Sequence, residues 1–147
     1  MILSIKKGDL FNLDSNKYAF AHCISHDAAM GAGIAKTFDS KFPKMKPYCK
    51  RVINENNLWY PCVIPYFDDN VEIYNLVTKN KYWNKPTLES LRATVRELAY
   101  MCNRNNTKHL AIPKIGCGLD KLDWKDVRKV LEEEFSELDI EIEVRYI

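Results

Sequence analysis

Tyr18-Ala19-Phe20-Ala21-His22-Cys23-Ile24, followed by Ser25-His26-Asp27 and then by Met30-Gly31-Ala32-Gly33, is the stretch on which the fold turns. A run that is apolar at odd and even positions alike is a strand with both faces buried, not one lying on a half-wet sheet. The glycines after it open a short helix through Ile34, Ala35 and Phe38, which Pro43 closes. A strand covered on both faces and feeding a helix through a tight loop belongs to a largely parallel or mixed sheet with helices on either side.

The rest of the chain agrees with that reading. Upstream, Ile2 to Ile5 forms a first strand, ended by Lys7-Gly8-Asp9. Downstream, Lys44 to Ile53 reads as a second short helix. Leu58 to Ile64 and Val71 to Thr78 read as strands, with turn chemistry in Phe67-Asp68-Asp69-Asn70 between them. Thr87 caps a long helix whose Leu88, Leu91, Val95, Leu98 and Cys102 recur at helical spacing. His109 to Pro113 is a short buried strand. Asp123 caps a helix that turns Trp124, Val127, Val130, Leu131 and Phe135 inward, and Ile140 to Ile147 is a closing strand. One α/β domain over residues 1–147 is expected, without repeat or linker.

The totals exclude several classes. At 147 residues, with 46% apolar and 29% charged, the chain can bury a core without disulfides or metals. A net charge of +2 implies neither a nucleic-acid nor a membrane partner by itself. Lys41, Lys44, Lys46, Lys50 and Arg51 do bunch, as a solvated helix face or as a patch for an anionic partner. Five cysteines without a C-x-x-C pair point to reduced thiols and a cytoplasmic setting, not to a disulfide framework or a zinc site. The first residues become charged too soon for a signal peptide, and no apolar run approaches membrane-helix length. Neither a metal nor a cofactor is expected, no membrane partner is expected, and a monomer is expected.

In such sheets ligands sit beyond the carboxyl ends of the strands. Two glycine loops fall there: Gly31-Ala32-Gly33-Ile34, and Lys114-Ile115-Gly116-Cys117-Gly118-Leu119-Asp120. Glycines let backbone N–H groups approach an anion, and a helix start adds the positive end of its dipole. Neither loop has a dinucleotide fingerprint or a Walker lysine. A pair of loops at matching strand ends could cradle a diphosphate from two sides, whereas each alone is a packing turn. Asp120 is either a helix-start residue or an acid/base, with Asp123 competing for the cap. Asp9 is a turn aspartate or an acceptor for a purine amino group, with the Leu10 N–H meeting a ring nitrogen. Lys79, at a strand end, is a solvated cation or an amine nucleophile toward a sugar carbon. His22 and His26 lie on strand and loop without an acidic ligand, so metal binding is not favoured. Cys23 and Cys117 read as packing, since no base is assigned to either.

Gly8-Asp9-Leu10-Phe11, His22-Cys23-Ile24-Ser25, Met30 to Ala35, Thr78-Lys79, Lys85-Pro86-Thr87 and Ile115 to Asp120, in that order, resemble the macrodomain family. The closer resemblance is to its branch of terminal ADP-ribose protein glycohydrolases, also called O-acyl-ADP-ribose deacylases. It runs over nearly the whole chain. The resemblance implies a three-layer α/β/α fold with a mixed central sheet and ADP-ribose across the strand ends. It implies that Asp9 and Leu10 hold adenine, and that Gly31, Ala32, Gly33, Ile34 and Lys114 to Asp120 wrap the diphosphate and distal ribose. Ser25 and Ile147 would touch the same ligand. Lys79 would attack the anomeric carbon of the distal ribose, with Asp120 as acid/base. The Asn-Ala-Ala-Asn and triple-glycine patterns of the larger hydrolytic branch are absent, so a water-activated mechanism is not transferred. Asn80 to Asn84 is particular to this chain.

The expectation is therefore a hydrolase that removes ADP-ribose from ester-linked targets, either acidic protein side chains or O-acyl-ADP-ribose, through a lysyl intermediate. The alternatives are a hydrolase of ADP-ribosylated nucleic acid, a phosphatase of ADP-ribose 1''-phosphate, and an ADP-ribose reader without turnover.

Overall fold

A computed structural model describes residues 1–68 and 70–147. Its elements, in chain order, begin with strand β1 (Ile2–Lys7), a 3-10 turn at Leu10–Asn12, β2 (Ala19–Ser25), helix α1 (Gly33–Lys41) and α2 (Met45–Glu55). Then come β3 (Cys62–Asp68), β4 (Val71–Lys79), α3 (Leu88–Arg104), β5 (His109–Ile112), α4 (Trp124–Glu134) and β6 (Glu141–Tyr146). Among the described residues the strands form one six-stranded sheet in the order β1-β6-β5-β2-β4-β3. All neighbours are parallel except β3, which runs antiparallel to β4. The sheet is therefore mixed, and the architecture is α/β.

The apolar run of β2 serves two layers by strict alternation. Ala19 and Ala21 face the core shared with α3 and α4, where Leu91, Val95, Leu98, Val127 and Leu131 pack over Tyr74 and Leu76 of β4. Phe20 and Ile24 face the core of α1 and α2, with Phe38, Met45, Cys49 and Ile53 over Ile73 and Val77. Small residues on one face and large ones on the other let two helical layers close on the same strand. His22 belongs to the second face. It is fully buried, stacks on Phe38 at 4.0 Å between ring centroids, and shares a register position with Asn75 of β4.

The caps form at the expected residues. Thr87 and Ser90 make a reciprocal capping box at the start of α3, and Asp123 accepts from the Lys125 N–H at 2.9 Å to start α4. One boundary differs from the sequence expectation. The strand expected over Leu58 to Ile64 begins only at Cys62, after Pro61, and continues through Asp68. Pro65 lies inside it and is tolerated because β3 is the sheet edge. Phe67 and Asp68, expected in a turn, instead pair with Glu72 and Val71. Asp69 of that expected turn lies outside the described residues. Among the described residues no helix is long and apolar enough to cross a membrane.

Candidate active site

The carboxyl ends of β1, β2, β4, β5 and β6 open onto one cavity of about 750 Å³. Every residue singled out from the sequence lines it: Asp9, Leu10, Ser25, Gly31 to Ile34, Lys79, Lys114 to Asp120 and Ile147. Parallel pairing brings these loops together, since it delivers successive strands to the same edge of the sheet.

The first glycine loop ends as the start of α1. Its N-cap is Ala32, which has no side-chain acceptor to offer, so no cap hydrogen bond forms. Among the described residues the backbone N–H groups of Gly33, Ile34 and Ala35 have no partner. In the second loop the N–H groups of Gly118, Leu119 and Asp120 are likewise unpaired. All six residues line the cavity. Donors grouped in this way, with a helix dipole behind half of them, suit an anion. Gly33 has φ +59 and Gly116 φ +70, a region that L side chains rarely adopt, and a Cβ on Gly116 would lie 3.0 Å from Leu122 Cδ1. Ala28 and Met30, with φ of 51 and 47, share that strained region on the approach to the first loop. A Cβ on Gly33 would meet Leu119 Cδ1 at 3.5 Å, so the two loops face each other closely across the cleft.

Lys79, the last residue of β4, and Asp120 meet at 2.6 Å, Nζ to Oδ1, with side chains only 13% and 15% exposed. Because Asp123 caps α4, Asp120 is free to turn into the cavity. The two form a nearly buried ammonium–carboxylate pair in the cavity wall. Lys85 Nζ donates to the Leu119 carbonyl and ties the segment after β4 to the second glycine loop.

The other expected residues that line the cavity have these surroundings. Asp9 accepts from the Phe11 N–H at 2.9 Å and so is a turn aspartate, which uses one oxygen and leaves it exposed at the cavity edge. Leu10 is buried, and Ile147 is 95% exposed at the rim. Ser25 is buried with its hydroxyl donating to Asp27. The Lys114 ammonium sits 4.4 Å from the Tyr146 ring centroid and 5.7 Å from that of Trp124.

Asp27 escaped the sequence reading. Besides the Ser25 hydroxyl it accepts from the Ala29 N–H at 3.3 Å and from the Tyr82 N–H at 3.2 Å, so it joins the first loop to the segment after β4. Burial, the largest single influence, pushes its pKa up. The Ser25, Tyr82 and Ala29 hydrogen bonds and the Lys81 charge together outweigh burial and hold it below the usual carboxylate range. Ser-x-Asp after a doubly buried strand was the available signal. The cavity thiols are not nucleophiles in waiting: burial pushes Cys23 up to about 12 and Cys117 up to about 11. Among the described residues no group of three or more His, Cys, Asp or Glu is placed to hold a metal ion.

A family model for the Macro domain matches residues 21–131. Human ADP-ribose glycohydrolase OARD1 is 38% identical over 138 residues, covering 94% of this chain and 87% of the relative. A DNA ADP-ribosyl glycohydrolase of Mycobacterium tuberculosis is 28% identical over 142 residues, covering 93% of this chain and 40% of that protein. Among solved structures, the macrodomain of Thermus aquaticus DarG superposes with a TM-score of 0.88 at 19% identity, covering 99% of each chain. Six-stranded mixed sheet, two helical layers, twin glycine loops at the strand ends and the family match agree: the chain belongs to the macrodomain family.

Proposed function

We propose that the protein is an ADP-ribosyl hydrolase that removes ADP-ribose from ester-linked targets, meaning acidic protein side chains or O-acyl-ADP-ribose, through a lysyl intermediate. The observation that carries this reading is the Lys79–Asp120 contact of 2.6 Å in the wall of a cavity whose glycine loops hold unpaired N–H donors. The name and the 38% identity of the human relative support ADP-ribose as the bound group. In this reading the diphosphate lies between the two loops and the adenosine lies toward Asp9, Leu10 and Ile147. Lys79 gives its proton to Asp120, and the amine attacks the anomeric carbon of the distal ribose. The carboxylate leaves, and water then cleaves the lysyl bond with Asp120 handling the proton. A pure reader of ADP-ribose would have no use for a nearly buried amine–carboxylate pair at the reaction end.

The test is incubation with protein bearing glutamate-linked mono-ADP-ribose, a borohydride quench and an intact mass. The expected result is release of ADP-ribose with an adduct that maps to Lys79 and is lost in Lys79→Ala. Unchanged turnover in both Lys79→Ala and Asp120→Ala would overturn the mechanism. Tight binding of ADP-ribose without release would overturn the enzyme.

A further inference from the structure

Where β2 and β4 end, two stretches of chain part that the reaction needs in register. The strand pairing slips at Ile24/Ser25, so that Ser25 lies opposite Lys79. The ladder then runs two bonds further, from His26 N–H to the Lys79 carbonyl at 2.8 Å and from Asp27 N–H to the Asn80 carbonyl at 3.2 Å. Beyond Asp27 one stretch turns through Ala28 and Met30, both at positive φ, toward the donors of Gly33, Ile34 and Ala35. The other runs past Lys79 into residues 80 to 85. A single carboxylate spans the gap between them. Asp27 Oδ1 accepts from the Ser25 hydroxyl and from Ala29 N–H, while Oδ2 accepts from Tyr82 N–H at 3.2 Å. Lys85 holds the far end of the same segment to the second glycine loop through the Leu119 carbonyl. Ser25, Met30, Lys79 and Tyr82 line the cavity, whereas Asp27 stands behind its wall.

We propose that Asp27 is a positioning residue for the hydrolysis, a role that rests on the Lys79–Asp120 reading above: its carboxylate sets the first glycine loop against Lys79, and with it the anomeric carbon against the amine. Lys79 is placed by β4, but a diphosphate in the first loop is placed by the start of α1. Backbone pairing ties those two positions together only as far as Asp27. Residues 28 to 32 lie outside any strand or helix. Ala28 and Met30 keep their left-handed backbone only where the surroundings fix it. Asp27 supplies the hydrogen bonds of that turn and reaches across to the chain beyond Lys79.

A slip of about 1 Å between amine and anomeric carbon costs on the order of a hundredfold in rate. Loss of the clasp therefore falls on the chemical step more than on affinity, because each glycine loop keeps its own unpaired donors. Shape decides the outcome, and charge does not. In Asp27→Asn the amide oxygen can accept from Tyr82 N–H while the amide nitrogen donates to Ser25 Oγ. Asp27→Glu keeps the charge but carries the carboxylate one methylene too far.

The experiment measures the single-turnover rate of ADP-ribose release from protein bearing it on glutamate, and the Kd for ADP-ribose by calorimetry. Both are taken for the wild type, Asp27→Ala, Asp27→Asn and Asp27→Glu. The rate should fall about tenfold or more in Asp27→Ala and Asp27→Glu and stay within about threefold in Asp27→Asn, while Kd moves by less than about threefold in all three. Should Asp27→Ala fail to fold, the contrast of Asp27→Asn with Asp27→Glu decides alone. Rate and Kd weakened by the same factor would make Asp27 scaffold only and overturn the role. A rate kept in Asp27→Glu and lost in Asp27→Asn would assign the effect to charge and overturn it too, as would equal rates in those two variants. Each of these results, with wild-type turnover intact, leaves the proposed function standing. A wild type that releases no ADP-ribose defeats the proposed function and the positioning role with it.

Discussion

Acidification should loosen this fold through His22, and the size of the effect follows from where that ring lies. His22 is fully buried between β2 and Phe38, its Nε2–H donates to Asn75 Oδ1 at 2.7 Å, and Nδ1 has no partner. Burial lowers its pKa from 6.5 to about 4, only partly offset by the Asn75 bond. Above pH 6.5 neither folded nor unfolded chain holds the proton, and the group has no effect on stability. Below it the unfolded chain takes the proton while the folded chain refuses it down to about pH 4, so stability falls as pH falls through that window. The full gap corresponds to roughly 3 kcal/mol, of which roughly 2 is lost between pH 7 and pH 5. His22→Gln keeps a donor for Asn75 but cannot titrate. It will be less stable at neutral pH, because it gives up the stack on Phe38. Urea unfolding of both proteins at pH 7, 6 and 5 isolates the proton, since every group they share cancels in the difference. The wild-type advantage should shrink by roughly 2 kcal/mol across that range. A constant difference would refute the claim that His22 stays neutral in the fold.

Two further outcomes bear on the site. With their pKa values pushed to about 12 and about 11, Cys23 and Cys117 should react with iodoacetamide at neutral pH at least about a hundredfold more slowly than free cysteine. Turnover should survive that treatment, and rapid inactivation with label on Cys117 would contradict this. Gly33→Ala places a Cβ only 3.5 Å from Leu119, which is ordinary contact, so its penalty is the φ of +59, on the order of 1–2 kcal/mol. Urea unfolding should show Gly33→Ala destabilised by that amount and a smaller loss for Gly118→Ala, where nothing lies within 4 Å of the new carbon. Equal losses would remove the backbone argument.

What the sequence made legible was what rests on periodicity and on caps. The doubly apolar run of β2, the helical spacing in α3 and the Thr87 and Asp123 caps lay in the order of residues, because each is a short-range consequence of side-chain type. The start of β3 was not legible, since Leu58 to Ile64 is as apolar as a strand and the pairing that decides the matter comes from Val71 to Val77, across the hairpin. The two glycine loops could be placed at strand ends. That Lys79 and Asp120 meet could not be read from pattern, because it depends on β4 and β5 flanking β2. Here the resemblance to the family supplied what spacing could not. Asp27 was missed for the same reason: its partner at Tyr82 is far away in sequence, and a Ser-x-Asp turn is locally unremarked.

The bare start of α1 has one more consequence. A nine-residue helix is too short to hold itself in water, and this one begins on an alanine that closes none of its open donors. The missing acceptor has to come from outside the chain. An anion seated there is the first hydrogen-bonding member of the helix and not only cargo against its end. An anion held there would stabilise the first turn of α1 along with its own place in the cleft, so binding and the stability of that turn would be linked.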